Sequence, residues 1–339
     1  MMEIIDYIEK ISDGLILSED ESYHAFSIIM SGECTESQIS GFLLSLKTRG
    51  EAITEIIGAV RAIREKMVTI DTPEGTIDIV GTGGDGMKTL NISTAASIVV
   101  AGQNVKVAKH GNRSVSSLSG SSDILNELNI NINLSPESSL KCLNETNICF
   151  LFAPLYHNSF KYVAKTRSEI KIRTIFNILG PLCNPGNVKM HLLGSYNKKW
   201  LTPMIKTLQK LGSQSAWAVH SMDGLDEISI SDKTYITKLS NNEINESIFD
   251  CSQYKTKGSP ISRIIGNDSK YNAKELLKIL NGEKNAYREV VVLNSAAAFV
   301  VAQSCKTINE GIDMAEESID KGNAIKVLNK LETISNKLK

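Results

Sequence analysis

The chain has 339 residues, of which 42% are hydrophobic, and its 37 basic side chains almost cancel its 38 acidic ones. That length and apolar share suffice for one large domain or two smaller ones. The charge balance excludes a global positive field for nucleic acid or an anionic membrane surface, so any anion has to be held locally.

The amino-terminal residues Met-Met-Glu-Ile-Ile-Asp carry acids where a signal peptide needs a basic start, so a cytoplasmic protein is expected. The longest apolar run, around Ser295 to Ala302, falls far short of the roughly 20 residues that cross a bilayer. Six cysteines (Cys34, Cys142, Cys149, Cys183, Cys251 and Cys305) form no C-x-x-C pair and read as reduced and structural. Five scattered histidines offer no zinc spacing, so a metal, if one is used, is expected to be a hard ion on oxygen ligands.

From Met2 to about Ile70 the apolar residues recur at helical spacing, as in Ile4, Ile8 and Ile11, then Phe42, Leu43 and Leu46, then Ile56, Val60 and Ile63. This predicts a small unit of about four helices, one of them capped by Thr35 with Gln38 three residues on. Asp71 to Gly75 reads as a break. Short apolar runs then alternate with helical stretches. Strands are expected at Ile77–Val80, Val105–Ala108, Ile148–Phe152, Leu192–Gly194 and Ala216–Val219. Helices are expected at Ser93–Gly102, Ser122–Leu128, Ser138–Thr146 and Lys199–Leu211. Such alternation implies a largely parallel sheet covered on both faces. Ser229 to Leu239 looks like an antiparallel addition, and the chain from Asn272 onward is mostly helical. The predicted fold class is therefore α/β, a small all-helical domain over residues 1–72 and a larger α/β domain over 73–339. Trp200, Trp217 and the alanine-rich helix Glu289–Gln303 are assigned to the core.

The first strand runs directly into Gly81-Thr82-Gly83-Gly84-Asp85-Gly86, a formal G-x-G-x-x-G. A dinucleotide site needs an acid about 20 residues later, whereas that neighbourhood reads Val105-Lys106-Val107-Ala108-Lys109-His110. A P-loop fails too, because Met87 precedes Lys88-Thr89 where glycine is required. Asn91-Ile92-Ser93-Thr94 places polar donors at a helix start, where backbone N–H groups favour an anion. The next strand ends in Lys109-His110-Gly111-Asn112-Arg113-Ser114-Val115-Ser116-Ser117. Carboxyl ends of neighbouring strands share one crevice, so the two polar loops together suggest a cradle for more than one phosphate. Asp223-Gly224-Leu225-Asp226-Glu227 follows another strand and offers adjacent carboxylates of the kind that hold Mg²⁺ beside phosphates.

In their order and wording these motifs resemble the anthranilate phosphoribosyltransferase family: G-T-G-G-D (Gly81 to Asp85), N-x-S-T (Asn91 to Thr94), K-H-G-N-R-x-x-S-S (Lys109 to Ser117), R-T-x-F-N-x-L-G-P-L-x-N-P (Arg173 to Pro185) and D-G-L-D-E (Asp223 to Glu227). The resemblance spans nearly the whole chain. Leu118, Asn158 and Gly186 depart from the pattern, but at no position to which the family gives a named role.

The resemblance implies an active site between the two domains, a homodimer formed through the small ones, and a helical segment near 163–185 that joins the small domain. It implies that Gly81, Gly84, Asp85, Thr89, Asn91, Ile92, Ser93, Thr94, Lys109 and Ser121 contact phosphoribosyl pyrophosphate, together with the loop His110, Gly111, Asn112, Arg113, Ser114, Val115, Ser116 and Ser117. It further implies that Ser93, Asp226 and Glu227 serve two Mg²⁺ ions, that Asn112 and Arg167 bind anthranilate, and that Gly81, His110, Gly180 and Pro181 line its channel. Positioning is expected from Arg167, Asn112 and Lys109, without a clear catalytic acid or base. Two alternatives carry different signatures. A pyrimidine nucleoside phosphorylase shares the architecture but lacks reason for the pair Asp226-Glu227, and a nucleic-acid-binding relative needs the clustered basic surface that a net charge of −1 does not provide.

Overall fold

The computed structural model describes residues 2–112, 119–254 and 258–338. Four helices open the chain: α1 (Ile4–Ser12), α2 (Glu19–Ser31), α3 (Glu36–Arg49) and α4 (Ile53–Lys66). The expected cap at Thr35 is formed, its hydroxyl accepting from the Gln38 amide while the Gln38 side chain accepts from the Thr35 amide. Glu55 on α4 is fully buried and ties the bundle internally. It accepts from the amides of Leu17 and Ala52 and pairs with Arg49.

The alternating region gives β1 (Ile77–Gly81), α5 (Ile92–Ala101), β2 (Val107–Gly111), α6 (Ser121–Glu127), α7 (Pro136–Thr146) and β3 (Ile148–Phe152). It continues through α8 (Ala153–Tyr156), α9 (Lys161–Ile170), α10 (Phe176–Leu179), β4 (Met190–Gly194), α11 (Leu201–Lys210) and β5 (Ser215–Ser221). The antiparallel pair β6 (Thr234–Ser240) and β7 (Glu243–Phe249) closes one edge, and α12 (Ser269–Leu280), α13 (Ala286–Val301), α14 (Ile308–Asp320) and α15 (Asn323–Lys337) complete the chain. The seven strands lie in the order β3-β2-β1-β4-β5-β6-β7, with the first five parallel and the last two antiparallel.

Two expectations shift. The second strand extends over Val107–Gly111 instead of Val105–Ala108, because Lys109 and His110 are buried strand residues despite their polarity. The stretch Ser229–Leu239 is strand only from Thr234, and its hairpin partner is the polar segment Glu243–Phe249, whose exposed face obscured its alternation.

Consecutive strand residues point to opposite faces, and here the faces serve two cores. Ile77, Ile79, Leu192, Trp217 and Val219 join α5, α7 and the helices of the carboxyl-terminal third. Leu193, Ala216, Ala218 and Leu239 join α1 to α4, α11 and residues of α9 and α10 such as Val163, Phe176 and Ile178. Trp200 and Trp217 are both buried, as is nearly all of α13. The six cysteines are free, and no helix among the described residues is long and apolar enough to cross a membrane.

Candidate active site

The crevice lies at the carboxyl ends of β1, β2, β4 and β5. Gly81 and Gly194 are register partners at the ends of β1 and β4, and together they make room for Asp226. A methyl group on Gly81 would lie 2.6 Å from the Asp226 carboxylate, and one on Gly194 would lie 1.6 Å from the Asp226 carbonyl oxygen. The glycine turn then wraps that carboxylate: the Gly83 amide donates to Asp226 Oδ2 at 2.8 Å, and Thr82 Oγ1 lies 3.5 Å from it. Positive φ at Gly83, Gly84 and Gly86 lets the backbone make this close turn.

Three carboxylates converge here. Asp85 Oδ1 accepts from the Met87 amide and its Oδ2 faces the Asp226 amide at 3.4 Å. Burial, then the charge of Asp85, pushes the Asp226 carboxyl up to about 7. Burial, then Asp226, pushes the Glu227 carboxyl up to about 8. Ser93, on the first turn of α5, sits between opposite charges: its hydroxyl accepts from Lys109 Nζ at 3.1 Å and supports Glu227 on the other side. Lys109 is buried beneath the crevice, its ammonium also donating to the Ile79 carbonyl at 2.6 Å. Burial lowers its pKa, opposed by Asp78, Glu227 and Asp226. Asp223 holds the turn itself, accepting from the Leu225 amide and the Ser229 hydroxyl.

Asn91 precedes α5 and is fixed from outside: Asn272 donates to its side-chain oxygen, its own amide donates to the Ser119 carbonyl, and Tyr287 donates to its backbone carbonyl. Its side chain makes no cap bond, which leaves the amides of the first turn, Ile92 to Thr94, facing the crevice. Thr89 pairs with Ile265 in an isolated bridge below the glycine turn. Ser121 donates to the Asn112 carbonyl at 3.3 Å, closing the start of the second loop, and Gly111 is tightly packed against Ser121 and Phe150. Arg113, Ser114, Val115, Ser116 and Ser117 lie outside the described residues, as does Leu118.

On the other side of the crevice a line of rings runs from the helical unit to the second loop. Phe26 meets Phe176 at 5.8 Å, Phe176 meets Phe160 at 5.6 Å, Phe160 meets His157 at 5.3 Å and His157 meets His110 at 5.0 Å. The two histidines face each other through their Nε2 atoms at 3.2 Å. Burial lowers the pKa of both, His157 to about 4 and His110 well below its usual value, so both are neutral at pH 7. The Gly180 backbone hydrogen-bonds the His110 ring, with open space beside Gly180, and buried Pro181 follows in the same short helical turn. Arg167, half-buried, places its guanidinium over the Phe176 ring at 5.2 Å, and among the described residues no carboxylate neutralises it. Asn112 is exposed at the crevice rim.

The structure thus gathers Gly81, Gly84, Asp85, Ser93, Lys109, Asp226 and Glu227 into one group; His110 lies against Gly180 at one end of the ring line, and Arg167 sits on Phe176 further along it. Several participants had no role assigned from the sequence: Thr82 and Arg173 lie inside the quoted motifs, Tyr196 and Gly194 outside them. Thr82 accepts from the Tyr196 amide, Arg173 donates to the Gly84 carbonyl while stacking on Tyr196 at 4.3 Å, and Gly194 seats Asp226. The motif positions of Thr82 and Arg173 and the glycine that ends a strand were the signals that could have found them.

The described residues contain no cluster of three or more His, Cys, Asp or Glu arranged to hold a metal by themselves. Mg²⁺ needs no such cluster, because it binds through one or two carboxylates with substrate phosphates and water supplying the rest. Two buried carboxylates with upward-shifted pKa values, next to a hydroxyl and an open crevice, fit that requirement.

Comparison with known proteins identifies the fold and the family. The model of the helical bundle domain of a glycosyl transferase family matches residues 5–67, and that of its a/b domain matches residues 74–325. The anthranilate phosphoribosyltransferase of Bradyrhizobium diazoefficiens is 44% identical over 336 residues, 99% of this chain and 100% of its own length. That of Chelativorans sp. is 43% identical over 337 residues, 99% of each. The crystal structure of anthranilate phosphoribosyltransferase from Thermus thermophilus superposes with a TM-score of 0.92 at 33% identity, covering 98% of this chain and 99% of that one. The Saccharomyces cerevisiae enzyme in complex with PRPP and Mg superposes with a TM-score of 0.90 at 28% identity, covering 99% and 98%. The fold and the site define a two-domain glycosyl transferase. Within that class the chain belongs to the anthranilate phosphoribosyltransferase family.

Proposed function

We propose that this chain transfers the phosphoribosyl group of 5-phosphoribosyl 1-pyrophosphate to the amine of anthranilate, giving N-(5-phosphoribosyl)anthranilate and pyrophosphate in tryptophan biosynthesis. The observation that carries the reading is the juxtaposition of two unlike pockets: a buried acidic pair against a glycine turn and a helix start, and, beside a line of rings, a guanidinium that no described carboxylate neutralises. The first suits a pyrophosphate with its cation, the second an aromatic carboxylate. Relatives that match over the whole chain bear the same name, and the yeast relative is seen with PRPP and Mg and with 4-fluoroanthranilate.

Asp226, Glu227 and Ser93 hold Mg²⁺ in this reading, two ions per site, with Asp85 beside them. Bound there, the metal supplies Lewis-acid neutralisation of the departing pyrophosphate. The amides of Ile92 to Thr94 and of the glycine turn, with Thr89, Asn91 and Ser121, orient the donor, and the residues from Lys109 to Ser117 are assigned to it as contacts. Lys109 acts from below, fixing Ser93 by its ammonium. Arg167 takes the anthranilate carboxylate as a charge-assisted pair, Asn112 meets it at the rim, and Gly81, His110, Gly180 and Pro181 wall the aromatic ring. The aromatic amine is neutral at pH 7, so the attack needs placement more than a strong base. Neutral His110 fits a wall or hydrogen-bonding role.

The division into residues 1–72 and 73–339, with a returning segment near 163–185, is supported by the packing of α9 and α10 against α2, α3 and α4. We place the protein in the cytoplasm as a homodimer joined through the helical units. Free cysteines and the exposed Ile5, Leu15, Ile16 and Leu44 of that unit support this.

The test follows anthranilate fluorescence with phosphoribosyl pyrophosphate, with and without Mg²⁺. Signal loss that requires both establishes the transfer. With activity in hand, Arg167→Ala is expected to raise the KM for anthranilate and to cost more in kcat/KM than His110→Ala. The reverse order at saturating anthranilate would assign His110 a chemical role.

A further inference from the structure

The sheet is not uniform at its centre. Strand β1 pairs with β4 over five register partners and β2 pairs with β3 over five, yet β1 and β2 share a single pair, Ile77 opposite Val107. The Ile77 amide donates to the Lys106 carbonyl, as a parallel ladder requires. Continued regularly, that ladder would give the Ala108 carbonyl to the Ile79 amide and the Ile79 carbonyl to the His110 amide. Side chains occupy these places instead. Asn184 Nδ2 donates to the Ala108 carbonyl at 2.8 Å, Lys109 Nζ donates to the Ile79 carbonyl at 2.6 Å, and Asp78 Oδ1 accepts from the His110 amide at 3.1 Å.

Three of the four backbone groups of that register, the Ala108 and Ile79 carbonyls and the His110 amide, thereby keep a partner where the regular ladder stops. Asp78 and Asn184 are both buried, and Lys109 reaches its carbonyl from the opposite face of the sheet. Asn184 is anchored in turn by the Gly186 amide, which donates to its Oδ1 at 2.7 Å. The parted strands are the two that deliver Gly81 to Gly86 and Lys109 to Asn112. The width of the gap therefore sets how far apart those loops stand.

We propose that Asp78 and Asn184 are positioning residues that replace the missing β1–β2 ladder and hold the two phosphate-facing loops at the spacing the donor requires. The inference rests on the reading of those loops as the donor site. Asp78 acts as a hydrogen-bond acceptor for the His110 amide, so what it must retain is an oxygen at that point.

The test compares Asp78→Asn, which keeps that oxygen, with Asp78→Val, which removes it at similar size, and with Asn184→Asp, which turns the donor to Ala108 into an acceptor. Kinetics at saturating Mg²⁺ and anthranilate are expected to show the KM for phosphoribosyl pyrophosphate raised about tenfold or more in Asp78→Val and Asn184→Asp, and within about threefold in Asp78→Asn. Loss of folded protein alone lowers kcat per total protein and leaves KM in place. A wild-type KM in Asp78→Val, or an Asp78→Asn as impaired as Asp78→Val, overturns the inference. If Asp78→Val does not accumulate as folded protein, Asn184→Asp decides the matter, because an unchanged KM there overturns it equally. Wild-type protein inactive in the same assay would overturn the functional reading, and this inference with it.

Discussion

Replacing Gly194 by alanine is the sharpest available perturbation of the acidic pair, because it touches neither carboxylate. The added methyl would lie 1.6 Å from the Asp226 carbonyl oxygen and 2.7 Å from its carbonyl carbon. Real contacts of this kind do not fall under 3.0 Å, so the Asp226 backbone has to retreat by at least about 1.4 Å. It cannot swing freely. Asn294 holds the neighbouring Ile228 by both amide and carbonyl, and Asp226 is gripped by the Gly83 amide. Overpacking of this sort costs about 1–3 kcal/mol of stability. A displacement near 1 Å at a site that works by placement costs roughly a hundredfold in rate. The assay is kcat/KM from anthranilate fluorescence over a Mg²⁺ titration, with thermal denaturation of the same preparation. A folded Gly194→Ala protein with kcat/KM within about threefold of wild type and an unchanged Mg²⁺ half-saturation would refute the link between this glycine and the acidic pair.

Gly41, in the middle of α3, is the contrasting case: a methyl there meets nothing nearer than Ile8 Cδ1 at 3.9 Å, so Gly41→Ala is expected to raise stability by about 0.5–1 kcal/mol and leave kcat unchanged, as read by urea denaturation. Burial lowers the pKa of His191 to about 3, below its unfolded value near 6.5, so its contribution to stability is complete above that unfolded value and is lost as pH falls toward 3. At pH 5 this loss amounts to about 2 kcal/mol, and His191→Gln should flatten the acid limb of the Tm profile relative to wild type. An unchanged limb would contradict it. Arg288, almost fully buried, makes a two-pronged pair with Asp320 at 2.7 and 2.9 Å. Asp320→Ala strands that guanidinium and should cost about 1–3 kcal/mol in chemical denaturation with KM values intact, the half-exposed carboxylate keeping the loss below that of a fully buried pair.

Much of the site was legible because its chemistry is local in sequence. The glycine turn, the polar start of α5 and the acidic pair each announce themselves within ten residues, and the rule that strand ends share a crevice brings them together. What was not legible depends on separation or on burial that contradicts polarity. Lys109 and His110 carry a strand to Gly111, three residues past the end that the apolar pattern suggests, since periodicity stops at the first charge. Asn184 meets Ala108 across 76 positions and Thr82 meets Tyr196 across 114, and neither pairing leaves a local trace. The edge strand β7 carries Glu243, Asn245 and Glu246 among its apolar residues, a composition that protects an exposed edge and hides the strand from inspection.

The division of the sheet between two cores has a consequence for synthesis on the ribosome. The helices of the first 66 residues emerge early, but the floor of their core is made by Val163, Phe176, Leu193, Met204 and Ala218, which follow by about a hundred residues or more. Until β5 has left the exit tunnel, the part of that core contributed by the sheet and by α9 to α11 is incomplete. A stop codon placed after residue 72 would therefore release helices that keep their mutual contacts but leave the sheet-facing side of their core uncovered.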